Sequence, residues 1–286
     1  MKLKFWGVRG SVPSGSRQTA GVGGNTTCLE IRCRDNLIIL DSGTGIRDLG
    51  RSLMKRLPVK AKIFFTHVHW DHIQGWPFFA PLYVKENAFE IYGGSSLPVT
   101  IEETLKKQMT PPFFPVEMDL MGASMKFHDI QPGSVVRGDC YEVSLVRLNH
   151  PSSSYAYRID SEGQSMVFAT DTEHYKGRLD AGLLDLAREV DLLIYDCQYT
   201  PSEYYGLNGH IPRIGWGHST MQEGVKFAKA ANVKHLILFH HDPSHDDNVI
   251  QKIEAEARTL FSSSTAAYEG MEIDLGCPAA PRSLFG

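Results

Sequence analysis

The chain has 286 residues, of which 42% are hydrophobic and 22% charged, and its formal net charge is −4. This composition is typical of a globular protein with one substantial core, and the acidic balance argues against a broad basic surface for long nucleic acid. No apolar run is long enough for a membrane helix, Arg9 interrupts any N-terminal signal segment, and the five cysteines contain no CxxC pair, so we expect a cytoplasmic protein with reduced thiols and no membrane contact.

Short apolar runs of strand length alternate with segments of helical spacing along the chain. Strands are expected at 28–33, 37–40, 63–65, 141–148, 154–159, 166–169, 192–195 and 236–239. Helices are expected at 45–55, 99–108, 179–190, 220–231 and 248–261, several of them beginning beside Ser, Thr or Asp. The Pro- and Phe-rich residues 109–115 are expected to form a loop. This mixture predicts a layered α/β architecture in one domain that spans residues 1–286.

A dense set of metal-binding residue types follows the predicted strand at 63–65. The segment 67–72 reads HVHWDH and contains His67, His69, Asp71 and His72. Alternate residues of an extended chain point the same way, so the first two histidines can share one ion. A turn after them can direct the aspartate and the third histidine toward a second ion, and zinc favours such ligands. The competing interpretation is a polar strand end whose histidines only bond the backbone.

Three further candidates each follow an apolar run. They are His150, Asp171 and His240. Ligands at strand ends converge on one edge of a sheet, where open α/β layers keep their clefts. Taken singly, Asp171 could be a turn residue or helix cap and His150 a buried histidine. Alternation would send only one of His240 and His241 into a site, and we prefer His240 because it directly ends the apolar run.

Together these motifs resemble those of the metallo-β-lactamase superfamily over nearly the whole chain. The resemblance implies a four-layer αββα sandwich with a dinuclear metal site at one rim and a hydroxide bridging the two metals as nucleophile. It implies one ion on His67, His69 and His150, a second on Asp71, His72 and His240, and a bridge through Asp171. We expect two divalent cations, with zinc as the first choice and manganese or iron as alternatives. Asp71 is also expected to take part in catalysis.

Two features narrow the branch of the superfamily. Asp171 supplies a bridging carboxylate that the lactam-cleaving branch usually lacks. His69 stands where flavodiiron oxygen reductases typically carry Glu, which disfavours redox iron chemistry.

A third feature is the segment GHST at 217–220. It is similar to tRNA 3′-processing endonucleases and related phosphodiesterases, and glycine-rich stretches at 7–13 and 41–47 resemble loops of the same relatives. The resemblance implies that His218, supported by Asp196, stabilises the transition state or protonates the leaving oxygen. Alternatively, Ser219 or Thr220 caps a helix and the histidine is incidental.

The spacing between two of the site residues predicts the size of the substrate. His150 and Asp171 are 21 residues apart, which leaves no room for the long tRNA-gripping arm of the tRNA processors. We therefore expect a phosphodiesterase acting on a small phosphodiester, such as a cyclic nucleotide or cyclic phosphate, and not on long nucleic acid. The alternatives are a tRNA 3′-processing endoribonuclease, a carboxylic ester or thioester hydrolase, and a non-catalytic metal-binding sensor. The sequence leaves a homodimer open.

The roles of several aromatic and histidine residues stay open at this point. Aromatic side chains that could form a wall for a nucleobase, or equally belong to the core or a dimer contact, are Tyr199, Tyr204, Tyr205 and Trp216. His174 could contact a phosphate or lie on the surface, and His245 could contact substrate, support a ligand or lie in an exposed loop.

Overall fold

The computed structural model describes residues 1–94, 99–277 and 280–286. Its strands are β1 (Lys2–Gly7), β2 (Cys28–Cys33), β3 (Asn36–Leu40), β4 (Lys60–Phe65), β5 (Ala88–Gly94), β6 (Ser124–Ile130), β7 (Val135–Arg137), β8 (Glu142–Arg147), β9 (Tyr155–Ser161), β10 (Gln164–Ala169), β11 (Leu192–Asp196), β12 (His235–Phe239), β13 (Ser264–Ala266) and β14 (Glu272–Asp274). Its α-helices are α1 (Ile46–Leu53), α2 (Trp70–Ile73), α3 (Ile101–Gln108), α4 (Ala181–Leu186), α5 (Pro201–Tyr205), α6 (Met221–Ala230) and α7 (Asp247–Leu260).

The strands form two seven-stranded sheets. The first has the order β14-β1-β2-β3-β4-β5-β6 and the second the order β13-β12-β11-β10-β9-β8-β7. Strands β3 to β6 are parallel to one another, as are β10 to β13. Strands β11 and β12 are buried at every position, because parallel strands in the middle of a layered fold are covered on both faces.

Three buried clusters separate four layers. The first sheet and the second face each other across a shared core that includes Ile38, Phe64 and Phe168. Side chains on the outer face of the first sheet pack against α1 and α3, and those on the outer face of the second sheet pack against α4, α6 and α7. The predicted αββα sandwich is therefore confirmed.

Most predicted elements lie within a few residues of the observed ones, but four strands of the first sheet (β1, β5, β6 and β14) and two of the second (β7 and β13) were not predicted. Cys28–Cys33 has the predicted bounds, and α7 begins and ends one residue before its prediction. Strands β1, β5 and β6 were not predicted because lysine, glutamate and histidine interrupt their apolar residues. Residues 109–115 form turns, as expected.

Two further sequence expectations can be compared with the structure. All five cysteines are free thiols. In the described part of the chain, no helix is both long enough and apolar enough to cross a membrane.

The strand topology brings the candidate site residues to one rim of the sandwich. Strands β3 and β4 are parallel and end at the same edge of the first sheet, and β10, β11 and β12 do so in the second. The residues that follow these ends therefore meet across the top of the sandwich.

Candidate metal centre

The residues that follow these strand ends form two adjoining groups of metal-binding side chains. In the first donor group, one nitrogen each of His67, His69 and His150 lies within 4.8 Å of the others. In the second donor group, one atom each of four side chains meets the same limit, namely Asp71, His72, Asp171 and His240. All seven residues predicted as ligands are thus brought together.

The first donor group presents three imidazoles from two loops. His69 Nδ1 lies 3.3 Å from His150 Nε2, while its Nε2 lies 2.9 Å from the hydroxyl of Ser152. His150 Nδ1 is 3.0 Å from the carbonyl oxygen of Gly217. Because a carbonyl can only accept, Nδ1 carries the proton, and the lone pair of His150 Nε2 faces the group.

The second donor group is more deeply buried and holds two carboxylates. His72 Nε2 lies 3.2 Å from an oxygen of Asp71 and 3.2 Å from an oxygen of Asp171. His240 Nε2 makes the corresponding approaches at 3.3 and 3.2 Å. The side chains of His72 and His240 are fully shielded from solvent, so these four groups surround a small, highly polar interior point.

Asp171 faces both donor groups. Its Oδ1 lies 3.5 Å from His67 Nε2 in the first group, whereas its Oδ2 lies 3.2 Å from His72 and His240 in the second. The side chain is 1% exposed. One oxygen per group is the arrangement that a bridging carboxylate requires.

A further layer of residues fixes the rings of the second donor group. Asp41 accepts a hydrogen bond from His72 Nδ1 at 2.9 Å, and the side-chain oxygen of Gln198 accepts one from His240 Nδ1 at 2.9 Å. Each contact leaves Nε2 as the free nitrogen and fixes the direction of its lone pair. Neither Asp41, which begins the glycine-rich stretch at 41–47, nor Gln198 was predicted to support a ligand, although both lie within two residues of a buried strand.

The pKa values of the buried side chains indicate which of them carry charge. Burial lowers the pKa of His67 well below its usual value and lowers the pKa values of His69 and His150. These rings are therefore neutral and can donate lone pairs. Burial alone would raise the pKa of Asp171, but the histidines that face it hold its pKa well below the usual value.

The backbone at the site is held in a conformation that L-residues rarely adopt. Asp41, Asp171 and His240 follow strand ends with φ of 61°, 55° and 62°, and Ser11 has φ of 63°. Such residues cost about 1–3 kcal/mol each and persist where surrounding contacts enforce them. A Cβ on Gly10 would lie 2.4 Å from the His240 ring, so the predicted glycine-rich stretch at 7–13 packs directly against this ligand candidate.

His218 and Asp196 form a buried pair beside the second donor group. Asp196 accepts a hydrogen bond from His218 Nδ1 at 2.9 Å. It also accepts bonds from the backbone N–H groups of Asp171, Gln198 and Ser219 at 3.0 to 3.1 Å. Burial lowers the pKa of His218, but the charge and hydrogen bond of Asp196 outweigh it and raise this pKa to about 9. Helix α6 is capped by Thr220, one of the two residues named as a possible cap.

Glu173 is a site residue that the sequence analysis missed. Its carboxylate accepts hydrogen bonds from the Tyr204 hydroxyl at 2.6 Å and from the N–H groups of Gly215 and Gly217 at 2.8 and 2.9 Å. It therefore links the loop after β10 to the loop that carries His218. Its only sequence signal is its position two residues after Asp171.

The residues whose roles were open now have defined contacts. His241 points away from both donor groups and its Nε2 donates to the carbonyl of Ala267 at 2.9 Å. His174 lies 2.9 Å from the hydroxyl of Ser219, and His245 lies 2.9 Å from a carboxylate oxygen of Glu203. None of the three histidines belongs to a donor group.

The four aromatic candidates divide into two pairs. Tyr199 and Tyr204 are buried; Tyr199 packs edge-on against His218 with ring centroids 5.7 Å apart. Tyr205 and Trp216 are 52% and 56% exposed. Only the second pair is available to a ligand without rearrangement.

An open cleft of about 420 Å³ gives access to the two donor groups. Its lining consists of Ser11, Val68, His69, Trp70, Asp71, Asp171 and His218. The Ser11 N–H donates to Asp71 at 2.7 Å, and His218 uses Nδ1 to bind Asp196. Nε2 is therefore the nitrogen that His218 has free for a ligand.

The side chains present fit a pair of divalent cations. Among the described residues, Nε2 of His67 and Nε2 of His72 are buried without a hydrogen-bond partner. Leaving such atoms unpaired is costly unless they bind something else. The neutral imidazoles of the first donor group, together with the histidines and carboxylates of the second, form the nitrogen and oxygen donor set that such cations take.

Comparison with known proteins agrees with the fold and the cluster. The model of the β-lactamase superfamily domain matches residues 36–241, which is more than half of the chain. The chain therefore belongs to the metallo-β-lactamase superfamily and is a hydrolase of that family.

Several relatives match nearly the whole of the chain. The chain is 24% identical to ribonuclease Z of Listeria monocytogenes serovar 1/2a, over 94% of this chain and 97% of that protein. It resembles the solved structure of the metallo-β-lactamase fold protein YhfI from Bacillus subtilis, with a TM-score of 0.69 at 19% identity, covering 95% and 98% of the two chains. A diphosphatase from the PhnP family gives a TM-score of 0.69 at 16% identity, with 98% and 99% covered. These structural likenesses establish the fold.

Proposed function

We propose that the protein is a metal-dependent phosphodiesterase that hydrolyses a small phosphodiester such as a cyclic nucleotide or cyclic phosphate. The observation that carries this proposal is the His218–Asp196 pair, which is buried beside the second donor group and reaches the cleft. A phosphodiester with an alkoxide leaving group needs a proton at the oxygen that departs, and a paired imidazole is suited to deliver it.

The donor groups would hold the two cations. The first donor group and the second would each bind one ion, with Asp171 between them, and zinc is the metal we propose because neutral imidazoles dominate the first group. When bound, such a pair of ions supplies positive charge for the phosphate oxygens and lowers the pKa of bound water.

The protein's own groups would then orient and protonate the substrate. Asp196 is fixed by three backbone N–H groups, so it holds the His218 ring in one orientation with Nε2 toward the cleft. The Ser11 N–H likewise fixes the carboxylate of Asp71 through a hydrogen bond. Buried, hydrogen-bonded groups of this kind need little reorganisation during a reaction.

The chain between His150 and Asp171 supports a small substrate. It forms the antiparallel hairpin of β9 and β10, whose strands pair from Gln164–Ser161 to Phe168–Tyr157. The hairpin is part of the second sheet and does not extend from the body of the protein. The second candidate function is RNA 3′-end processing, which the similarity to ribonuclease Z favours.

The test compares phosphodiesters that differ in their leaving group. Wild type, His218→Ala and the matched control His210→Ala, an exposed histidine of a nearby loop, would be assayed on 2′,3′-cyclic AMP, bis(p-nitrophenyl) phosphate, p-nitrophenyl acetate and a precursor tRNA. We expect His218→Ala to lower cyclic AMP hydrolysis about 10²- to 10⁴-fold without loss of metal. The loss should be smaller for bis(p-nitrophenyl) phosphate, because nitrophenolate leaves without a proton.

Other outcomes would redirect the assignment. Cleavage of p-nitrophenyl acetate alone, unimpaired in His218→Ala, contradicts the proposal and leaves a carboxylic ester hydrolase. Efficient cleavage of the precursor tRNA with none of the cyclic nucleotide would support the second candidate.

A further inference from the structure

Trp70 is exposed to solvent at the centre of the candidate site. Its side chain is 81% exposed, although tryptophan is usually among the most buried residues on average. It lies between His69 of the first donor group and Asp71 of the second, and it lines the cleft. Because this exposed ring lines the cleft beside the donor groups, it offers a contact surface to a ligand that binds there.

The main chain that carries the ring is rigid. Trp70 is the first residue of α2. The N–H of His72 donates to the carbonyl of His69 at 3.0 Å, and the N–H of Gln74 donates to the carbonyl of Trp70 at 2.7 Å. The two sequence neighbours of Trp70, His69 and Asp71, are themselves members of the donor groups. The Cα atom of Trp70 is therefore fixed in position, about 3.8 Å from the Cα atom of each neighbouring residue.

The lining of the cleft restricts what the ring can recognise. Of the seven lining residues, only Val68 and Trp70 are apolar, and the others are Ser11, His69, Asp71, Asp171 and His218. An alkyl chain would need an enclosing apolar pocket. A planar aromatic base needs only one exposed ring face and tolerates a polar surround.

We propose that Trp70 is a stacking platform for a nucleobase, which makes the substrate a nucleotide-containing phosphodiester. The proposal rests on the proposed phosphodiesterase function for its catalytic part, but the stacking itself is a binding property. A phosphate held at the donor groups would place the attached nucleoside over α2, and the indole face would contact the base.

The first arm of the test compares two substrates with the same leaving group. Thymidine 5′-(p-nitrophenyl phosphate) carries a base, whereas methyl p-nitrophenyl phosphate does not. We expect wild type to prefer the thymidine ester, and Trp70→Ala to reduce that ratio of kcat/KM roughly 10- to 100-fold. Trp70→Phe should keep most of the ratio. Phe113→Ala is the matched control, since Phe113 is 85% exposed but does not line the cleft.

The second arm measures binding without turnover. Calorimetric titration of the zinc-loaded protein with adenosine 5′-monophosphate and with ribose 5-phosphate should show tighter binding of the nucleotide. That difference should be lost in Trp70→Ala and kept in Phe113→Ala. Because the side chain is exposed, neither variant is expected to disturb folding.

The two arms separate this proposal from the one on which it rests. If Trp70→Ala leaves the ratio of kcat/KM for the thymidine ester to that for the methyl ester unchanged, even with an equal fall for both, the platform is overturned. Phosphodiester hydrolysis would then still stand. If neither ester is cleaved but nucleotide binding depends on Trp70, the platform holds and the phosphodiesterase assignment fails. If nucleotide and ribose phosphate bind equally to wild type, the platform is wrong.

Discussion

The two ends of the sandwich both carry a cavity, and the larger one lies away from the histidines. The far cavity measures about 600 Å³ and is lined at the opposite ends of the strands by residues that include Lys60, Lys62, Glu90 and Lys126. One charged pair there stays in contact with solvent: Lys62 lies 2.7 Å from Glu90, with side chains 20% and 41% exposed. The cleft at the donor groups is smaller, at about 420 Å³.

The difference shows that buried charge identifies the site better than cavity volume does. Asp171, His72 and His240 are at most 1% exposed, and burying such groups is unfavourable unless they are compensated. The backbone differs as well, because Asp171 and His240 have positive φ. Buried charges and strained backbone both destabilise a fold. A protein that keeps both at one rim is organised to bind a ligand there.

The largest expected effect comes from removing the shared carboxylate. Asp171→Ala should abolish binding of both cations, since one oxygen faces each donor group. Turnover should fall by more than the roughly 10- to 100-fold that loss of a residue behind the ligands costs. Metal content by elemental mass spectrometry, with unfolding followed as a control, checks this. Retention of two ions would show that the donor groups are independent.

A moderate effect is expected from Glu173, which lies behind the loop of His218. In Glu173→Gln the amide NH₂ would replace one carboxylate oxygen, so two N–H groups would face each other where one now donates to an acceptor. We therefore expect the free energy of unfolding to fall by about 1–3 kcal/mol. Turnover should fall about 10-fold. Tyr204→Phe removes one of the three donors and should have a smaller effect. Denaturant unfolding and kinetics would check both, and equal values for wild type and Glu173→Gln would contradict the role of this carboxylate.

The contact between Glu203 and His245 predicts how stability changes with pH. Burial raises the pKa of Glu203, but the hydrogen bonds from His245 and Thr200 outweigh it and lower the pKa to about 2. A lowered folded-state pKa contributes stability above the unfolded value of about 4.5, and this contribution is lost as pH falls toward 2. The stability difference between wild type and Glu203→Gln should therefore shrink on acidification. A difference that is constant with pH would contradict it.

The smallest effect is expected at the far cavity. Lys62→Met removes a partly exposed ion pair, so turnover should not change and the free energy of unfolding should change by no more than about 1 kcal/mol. Steady-state kinetics beside thermal unfolding would check this. A large loss of turnover would mean that the far cavity takes part in function.

The convergence of the ligand candidates could be predicted because each lies shortly after the end of an apolar strand, and parallel strands end at one rim. The division of these candidates into two ion sites was implied by the resemblance to the superfamily. Alternation admits only one of His240 and His241. His240, preferred because it ends the apolar run, belongs to the second donor group, and His241 does not.

The remaining features depend on contacts between distant segments. Glu173 binds groups at 204, 215 and 217, and no spacing rule connects them. Trp70 appears in the sequence only as a spacer between ligand candidates, because its exposure is set by the three-dimensional fold. Strands β5 and β6 were not predicted, because charged residues on their partly exposed faces interrupt the apolar pattern.

We expect one rim of the sandwich to bind two cations, one at each donor group. The most direct measurement is the number of zinc ions per chain after equilibrium dialysis, for wild type and for His69→Ala. We expect two ions in wild type and one in His69→Ala, because the second donor group stays intact. A single ion in wild type, or two ions in His69→Ala, would show that the two donor groups do not each bind one ion.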